Sequence, residues 1–186
     1  METDTGMDVA VLVGLQASGK STFYRECLSG RYGLVSKGLF PRSARDRQGR
    51  QMRLVEEHLA AGRPVAVDNT NPSPREWAPL VELAHAHGAT ATAYWFPPDV
   101  AGSLWRNAAR EGRARVPDVG VLATLKRLRE PSPADGFDAV RQVRFDGRGG
   151  FEVRGRAASA PRGTAARRAP ASGRERLLRV KGRRSP

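Results

Sequence analysis

A single cysteine, Cys27, in a chain of 186 residues excludes any disulfide within it. The fold must therefore hold by burial and hydrogen bonding, as suits a reducing cytoplasm. Histidine is nearly as scarce, and His85 and His87 have no partner at metal-ligand spacing, which leaves no zinc-type signature. No apolar run approaches the about 20 residues of a membrane span, and the acidic start METDTGMD lacks a secretory apolar segment. Acidic residues thin out toward the end. From Gly147 to Pro186 two Glu face 12 Lys and Arg, so this stretch carries +10 of the chain's +13. The high pI thus describes mainly the tail. Residues 1–146 are expected to fold as one domain. Residues 147–186, rich in Arg, Gly, Ala, Pro and Ser, have too little apolar content to fold alone and are expected to be a disordered basic extension. A transient basic helix over Arg174–Arg184 and salt-sensitive attraction to nucleic acid are the functional readings of that tail; a solvated extension is the plain one.

What the chain does have is concentrated early. Val9–Val13 is a short apolar run without alternation, as in a strand buried on both faces. It ends in Gly14-Leu15-Gln16-Ala17-Ser18-Gly19-Lys20-Ser21-Thr22, the pattern G-x-x-x-x-G-K-S of a phosphate-binding loop. Gly14 and Gly19 let the backbone turn with its N–H groups inward, Lys20 supplies a point charge for phosphate, and the Ser21 hydroxyl is placed for Mg²⁺. The following helix, Lys20 to Ser29, would aim its positive end at the same anion. Its inward stripe is expected to be Phe23, Tyr24, Cys27 and Leu28, with Cys27 a small core residue.

Strand and helix signals then alternate. Strands are expected at Gly33–Ser36, Pro64–Val67, Thr90–Phe96 and Asp138–Phe145, and helices at Ser43–Ala61, Ser73–His87, Asp99–Glu111 and from Asp118. Ser73, Pro74 and Glu76 read as a capping box. The economical class is α/β: a P-loop NTPase with a parallel sheet of about five strands flanked by helices. Ligands in such sheets bind beyond the carboxyl ends of the strands, which gathers Gly14–Ser21, Ser36–Gly38 and Asp68–Asn71 on one rim. Asp68, ending an apolar strand, is the candidate second metal ligand, with a turn-capping Asp as the alternative. Arg106, Arg110 and Arg113 fall at i, i+4 and i+7. They would share one face of a helical lid that closes over phosphates, or be ordinary surface arginines.

GLQASGKST, VAVDNTNPSPRE, RARVPDVGVLATLKRL and EPSPADGFDAV together resemble the kinase domain of polynucleotide kinases and the small bacterial P-loop proteins of that type described as AAA-type ATP-binding proteins. The resemblance spans about Val9 to Phe145. It implies ATP and Mg²⁺ as cofactors, an arginine-bearing lid, and transfer of the γ-phosphate to a hydroxyl, foremost a DNA or RNA 5′-end. On this reading Lys20, Arg106, Arg110 and Arg113 are catalytic, and Ser21 and Asp68 hold the metal. Such proteins usually carry an Asp after the second strand to take the proton of the acceptor hydroxyl. Here the run is Ser36-Lys37-Gly38. A general base contributes about 10²–10⁴-fold, so Gly38 implies either a slow kinase, with Asp46 as a substitute base if its helix begins near the site, or a nucleotide-binding module without transfer. A small-metabolite kinase on the same core is the third reading.

Overall fold

The computed structural model describes residues 6–156. Strands β1 (Asp8–Val13), β2 (Gly33–Val35), β3 (Val65–Asp68), β4 (Thr90–Trp95), β5 (Ala139–Phe145) and β6 (Phe151–Arg156) form one sheet in the order β2-β3-β1-β4-β5-β6. The first five run parallel, and β6 returns antiparallel beside β5. Helices α1 (Lys20–Phe23), α2 (Arg47–Ala60), α3 (Pro74–Ala86), α4 (Val100–Ala108) and α5 (Asp118–Arg127) connect them.

The unbroken apolar run of β1 follows from its central position. Val9, Val11 and Val13 face one core with Val55, Leu59, Trp77 and Leu80 of α2 and α3. Ala10 and Leu12 face the other, with Phe23, Leu28, Tyr94 and Phe96. Two covered faces leave no place for a polar alternate. Val140 and Val143, three apart on β5, serve the two opposite cores, which explains their irregular alternation. No helix among the described residues is long and apolar enough to cross a membrane.

Several elements differ from the sequence reading. After Phe23 the first helix continues as a π-turn, Tyr24–Leu28, closed by Ser29 N donating to Tyr24 O at 2.8 Å. The wider turn aligns Phe23 with Leu28, five residues on, and both are buried while Cys27 is exposed. Helix α2 starts at Arg47 rather than Ser43, because Asp46 caps it by accepting from Gly49 N at 2.8 Å. Pro74 opens α3 as expected, but Ser73 makes no cap bond and instead donates to Glu76 Oε2 at 2.6 Å.

The largest difference lies past Asp146, where the tail was expected to begin. Asp146 folds the chain back, its Oδ1 accepting from Arg148 N at 2.7 Å and Gly150 N at 2.9 Å. Phe151 then stacks on Phe145 (5.2 Å between ring centres) and meets Phe23 edge-on (5.3 Å). The sheet thus has six strands and extends ten residues beyond residue 146. The remaining tail, with the expected basic helix at Arg174–Arg184, lies outside the described residues.

Phe151→Ala should cost about 2 kcal/mol of stability by removing a half-buried ring and two aromatic contacts. Equilibrium urea denaturation checks this; an unchanged midpoint would mean that β6 adds nothing to the cooperative unit.

Candidate active site

The loop from Gly14 to Gly19 takes its shape from two places where side chains do not fit. A Cβ on Gly14 would lie 2.8 Å from Phe96 Cβ, and one on Gly19 would lie 2.6 Å from the Phe145 ring. Gly19 also has φ +97°, and Ala17 accepts the left-handed region at φ +55°. Such alternation turns successive N–H groups toward one concavity, which suits an anion. The loop is pinned from below. Gly14 N donates to Thr70 O at 3.0 Å, and buried Asn71 donates through Nδ2 to Leu12 O at 2.8 Å.

Lys20 is 7% exposed. Its ammonium donates to Gly14 O at 3.0 Å, to Ser18 Oγ at 3.2 Å and to Leu15 O. All three acceptors are neutral. Burial lowers the ammonium pKa to about 8, against the field of Asp68 and with that of Arg110. An anion in the concavity would supply the missing compensation. Next to it, Ser21 Oγ donates to Asp68 Oδ2 at 2.5 Å. A hydroxyl and a carboxylate brought together at the anion's edge are a hard-oxygen pair that fits Mg²⁺, which takes one or two protein oxygens and fills its shell from phosphate and water. Of the other loop residues, Gln16 donates to Thr124 Oγ1 of α5 at 2.9 Å, and Thr22 Oγ1 accepts from Arg25 at 3.2 Å.

The three expected lid arginines do not share a helix face. Helix α4 ends at Ala108, so only Arg106 is helical, and Arg113 belongs to a short 3₁₀ turn, Gly112–Ala114. Gly112, at φ +55°, turns the chain there. Yet Arg106 and Arg113 reach the rim separately. Arg106 Nε donates to Ala17 O at 2.7 Å and its guanidinium lies 5.2 Å over the Phe145 ring. Arg110 donates to Ala114 O at 3.4 Å within its own loop, and its charge adds to the lowering of the Lys20 pKa. Arg113 donates to Phe40 O at 3.3 Å, across to the segment after β2. Asn107 closes the intervening loop with two bonds to Val116 (2.6 and 3.1 Å). Asp46, besides capping α2, lies 3.7 Å from Arg53 and is well exposed. No bond joins it to the loop among the described residues.

Sequence reasoning missed the aromatic wall. A cavity of about 250 Å³ opens beside the loop, lined among others by Ser18, Phe96, Arg106, Phe145 and Phe151. The Asp-Gly at 146–147, flanked by Phe145 and Phe151, was the available signal for a hairpin there.

A family model described as an AAA domain matches residues 9–131. Solved structures with the same fold include a fungal RNA kinase, at TM-score 0.58 and 15% identity, over 75% of this chain and 38% of that one. The AvrRxo1-ORF1:-ORF2 complex with ATP matches at TM-score 0.61 and 15% identity, over 80% and 57%. Kti12 of Chaetomium thermophilum in complex with ADP-AlF3 matches at 0.57 and 16%, over 74% and 89%. This chain thus spans well under two thirds of the first two proteins.

Because free Lys20 titrates near pH 8 and a bound polyanion favours its charged form, nucleotide binding should take up protons above that pH. Affinity should fall by up to about tenfold per pH unit there. Calorimetry of ATP binding near pH 9 should give heats that depend on the buffer's ionisation enthalpy, and near pH 7 heats that do not. Buffer-independent heats at both would refute the coupling.

Proposed function

The chain belongs to the AAA domain family of P-loop proteins, and from that premise we propose that it is an ATP-dependent phosphotransferase. The observation that carries this reading is the Ser21–Asp68 pair at 2.5 Å beside the buried Lys20 ammonium. ATP lies with its phosphates in the loop concavity. Its base enters the cavity lined by Phe96, Arg106, Phe145 and Phe151, whose aromatic and guanidinium groups offer apolar and cationic contact. Lys20 and the loop N–H groups hold the phosphates. Ser21 and Asp68 would hold Mg²⁺, which when bound would supply charge neutralisation at the phosphates. Arg110, whose charge is felt at Lys20, stabilises charge as the phosphoryl group moves. Arg106 fixes the loop through Ala17 O and so acts by positioning it.

The acceptor binds beyond the ends of β2 and β3. A polynucleotide 5′-hydroxyl is one candidate, favoured by the likeness to a fungal RNA kinase. A nucleotide-binding module that hydrolyses ATP without transfer is the second reading, favoured by the absence of a side chain at Gly38.

Lys20→Ala should lower ATP turnover about 10²–10³-fold, as loss of one preorganised charge on a phosphate does. Asp68→Asn should raise the Mg²⁺ concentration needed for half-maximal rate. ADP release from ATP measured across a Mg²⁺ titration tests both. Turnover unaffected by Lys20→Ala would remove this site from the reaction.

A further inference from the structure

The segment after β2 gathers positive charge in an unusual way. Lys37 to Phe40 form one tight turn, with Phe40 N donating to Lys37 O at 3.3 Å. Two arginines from different elements bind that turn's backbone: Arg47 of α2 donates to Lys37 O, and Arg113 donates to Phe40 O. Arg50 lies 5.1 Å over the Phe40 ring. Lys37 Nζ donates to the neutral Gln48 Oε1 at 2.5 Å. Lys37, Arg47 and Arg113 take part in none of the ion pairs among the described residues. Arg47 Nε is buried with no partner at all. Burial, opposed by Glu76 and aided by Arg47, holds the Lys37 ammonium below its ordinary pKa. Uncompensated cations that converge on a half-buried turn are costly unless an anion comes to them.

The turn is also tied to the nucleotide side. Lys37 N donates to Asn69 Oδ1 at 2.9 Å, and Asn69 follows Asp68 directly. The carboxylates at the rim-side ends of α2, β3 and α3 are all engaged. Asp46 caps Gly49 N, Asp68 accepts from Ser21, and Glu76 holds Arg127 and Ser73. Gly38 adds none, and a Cβ there would meet only Ser36 Oγ, at 3.5 Å. Around the turn Lys37, Arg47 and Arg113 thus supply cations for an acceptor, while position 38 supplies no carboxylate and Asp46, Asp68 and Glu76 already hold partners.

We propose that the oxygen phosphorylated at this rim belongs to a phosphomonoester, ionised before it binds, rather than to a hydroxyl. This rests on the phosphotransferase reading of the site. A phosphomonoester carries about −1.5 to −2 charges at neutral pH and needs no base. The guanidinium N–H groups of Arg47 and Arg113 not spent on backbone carbonyls suit its oxygens, and Lys37 adds a point charge. In the step, an acceptor phosphate oxygen gives its electron pair to the γ-phosphorus of ATP. The bond from that phosphorus to the bridging oxygen breaks, and ADP leaves with the pair. The product is a phosphoanhydride, and no proton moves.

The test uses the full chain, γ-labelled ATP and Mg²⁺ with matched acceptors: one oligonucleotide with a 5′-phosphate or a 5′-hydroxyl, a nucleoside and its monophosphate, and a sugar and its phosphate. The expected result is label only in phosphorylated members, with phosphorus–phosphorus coupling of an anhydride in the ³¹P spectrum. The pair that takes the label tells a polynucleotide end from a small molecule. Arg47→Gln should raise the KM for that acceptor roughly ten- to hundredfold, as loss of a charged hydrogen bond does, with the KM for ATP unchanged. Gly38→Asp, whose Cβ would meet only Ser36 Oγ and which adds a negative charge, should raise the acceptor KM in the same direction. Label in a hydroxyl acceptor overturns the proposal and leaves the phosphotransferase reading standing. Absence of label from every phosphomonoester while ATP still binds also overturns it, as does an unchanged acceptor KM in Gly38→Asp. Loss of ATP binding itself would instead remove the reading on which the proposal rests.

Discussion

An ammonium enclosed by neutral acceptors sets the terms for this molecule. Lys20 is buried at the head of α1 with two carbonyls and a hydroxyl for company. Desolvation of such a group costs several kcal/mol unless opposite charge lies close. Asp68 compensates in part, and Arg110 works against it. The surroundings hold the arrangement in place: Thr70 and Asn71 fix the loop to β3 and β1, and Arg106 fixes it to α4. The loop therefore keeps an electrostatically unfavourable shape ready for a polyanion, and the packed sheet beneath it bears the cost.

The same logic extends outward. Positive groups approach the rim from α1, from the turn after β2, from α2, from α4 and from the turn Gly112–Ala114, and each is fixed by backbone carbonyls or neutral side chains more often than by carboxylates. A surface built for mutual neutralisation would have interleaved acids with these bases. Among the described residues Asp46 and Asp99 serve as caps, Asp68 as the partner of Ser21, and Glu76 in an ion pair with Arg127. The matched structures share the fold, and the segment between β2 and α2 is irregular, where a fold constrains sequence least.

What could be read from residues alone was what local spacing determines. The phosphate loop, the strand before it, Asp68 at the end of β3 and the five parallel strands all come from short patterns. Lid geometry did not, because i, i+4 and i+7 spacing says nothing about whether the helix persists, and Gly112 turns the chain before Arg113. The orientation of Cys27 depended on a π-turn that has no clear composition signal. Asp46 does sit at the start of α2, but a carboxylate there is as good a cap as a base, and only geometry tells them apart. The sixth strand was hidden by averaging: a basic, glycine-rich tail masks the short alternating run from Phe151 to Arg156. Its pairing is secured by two aromatic contacts rather than by overall hydrophobicity.

The direction of β6 has a geometric consequence. Phe151 pairs with Phe145 at the loop, and Arg156 pairs with Val140 near the start of β5. Six residues of strand carry the chain about 17 Å back along the sheet. Through Val140 and Ala93, Arg156 thus stands level with Val11 in the middle of β1, back from the phosphate-loop end of the sheet. A dye, tag or surface tether coupled at Arg156 would leave the nucleotide entrance open, whereas one attached within the hairpin, a few residues earlier, would stand in it.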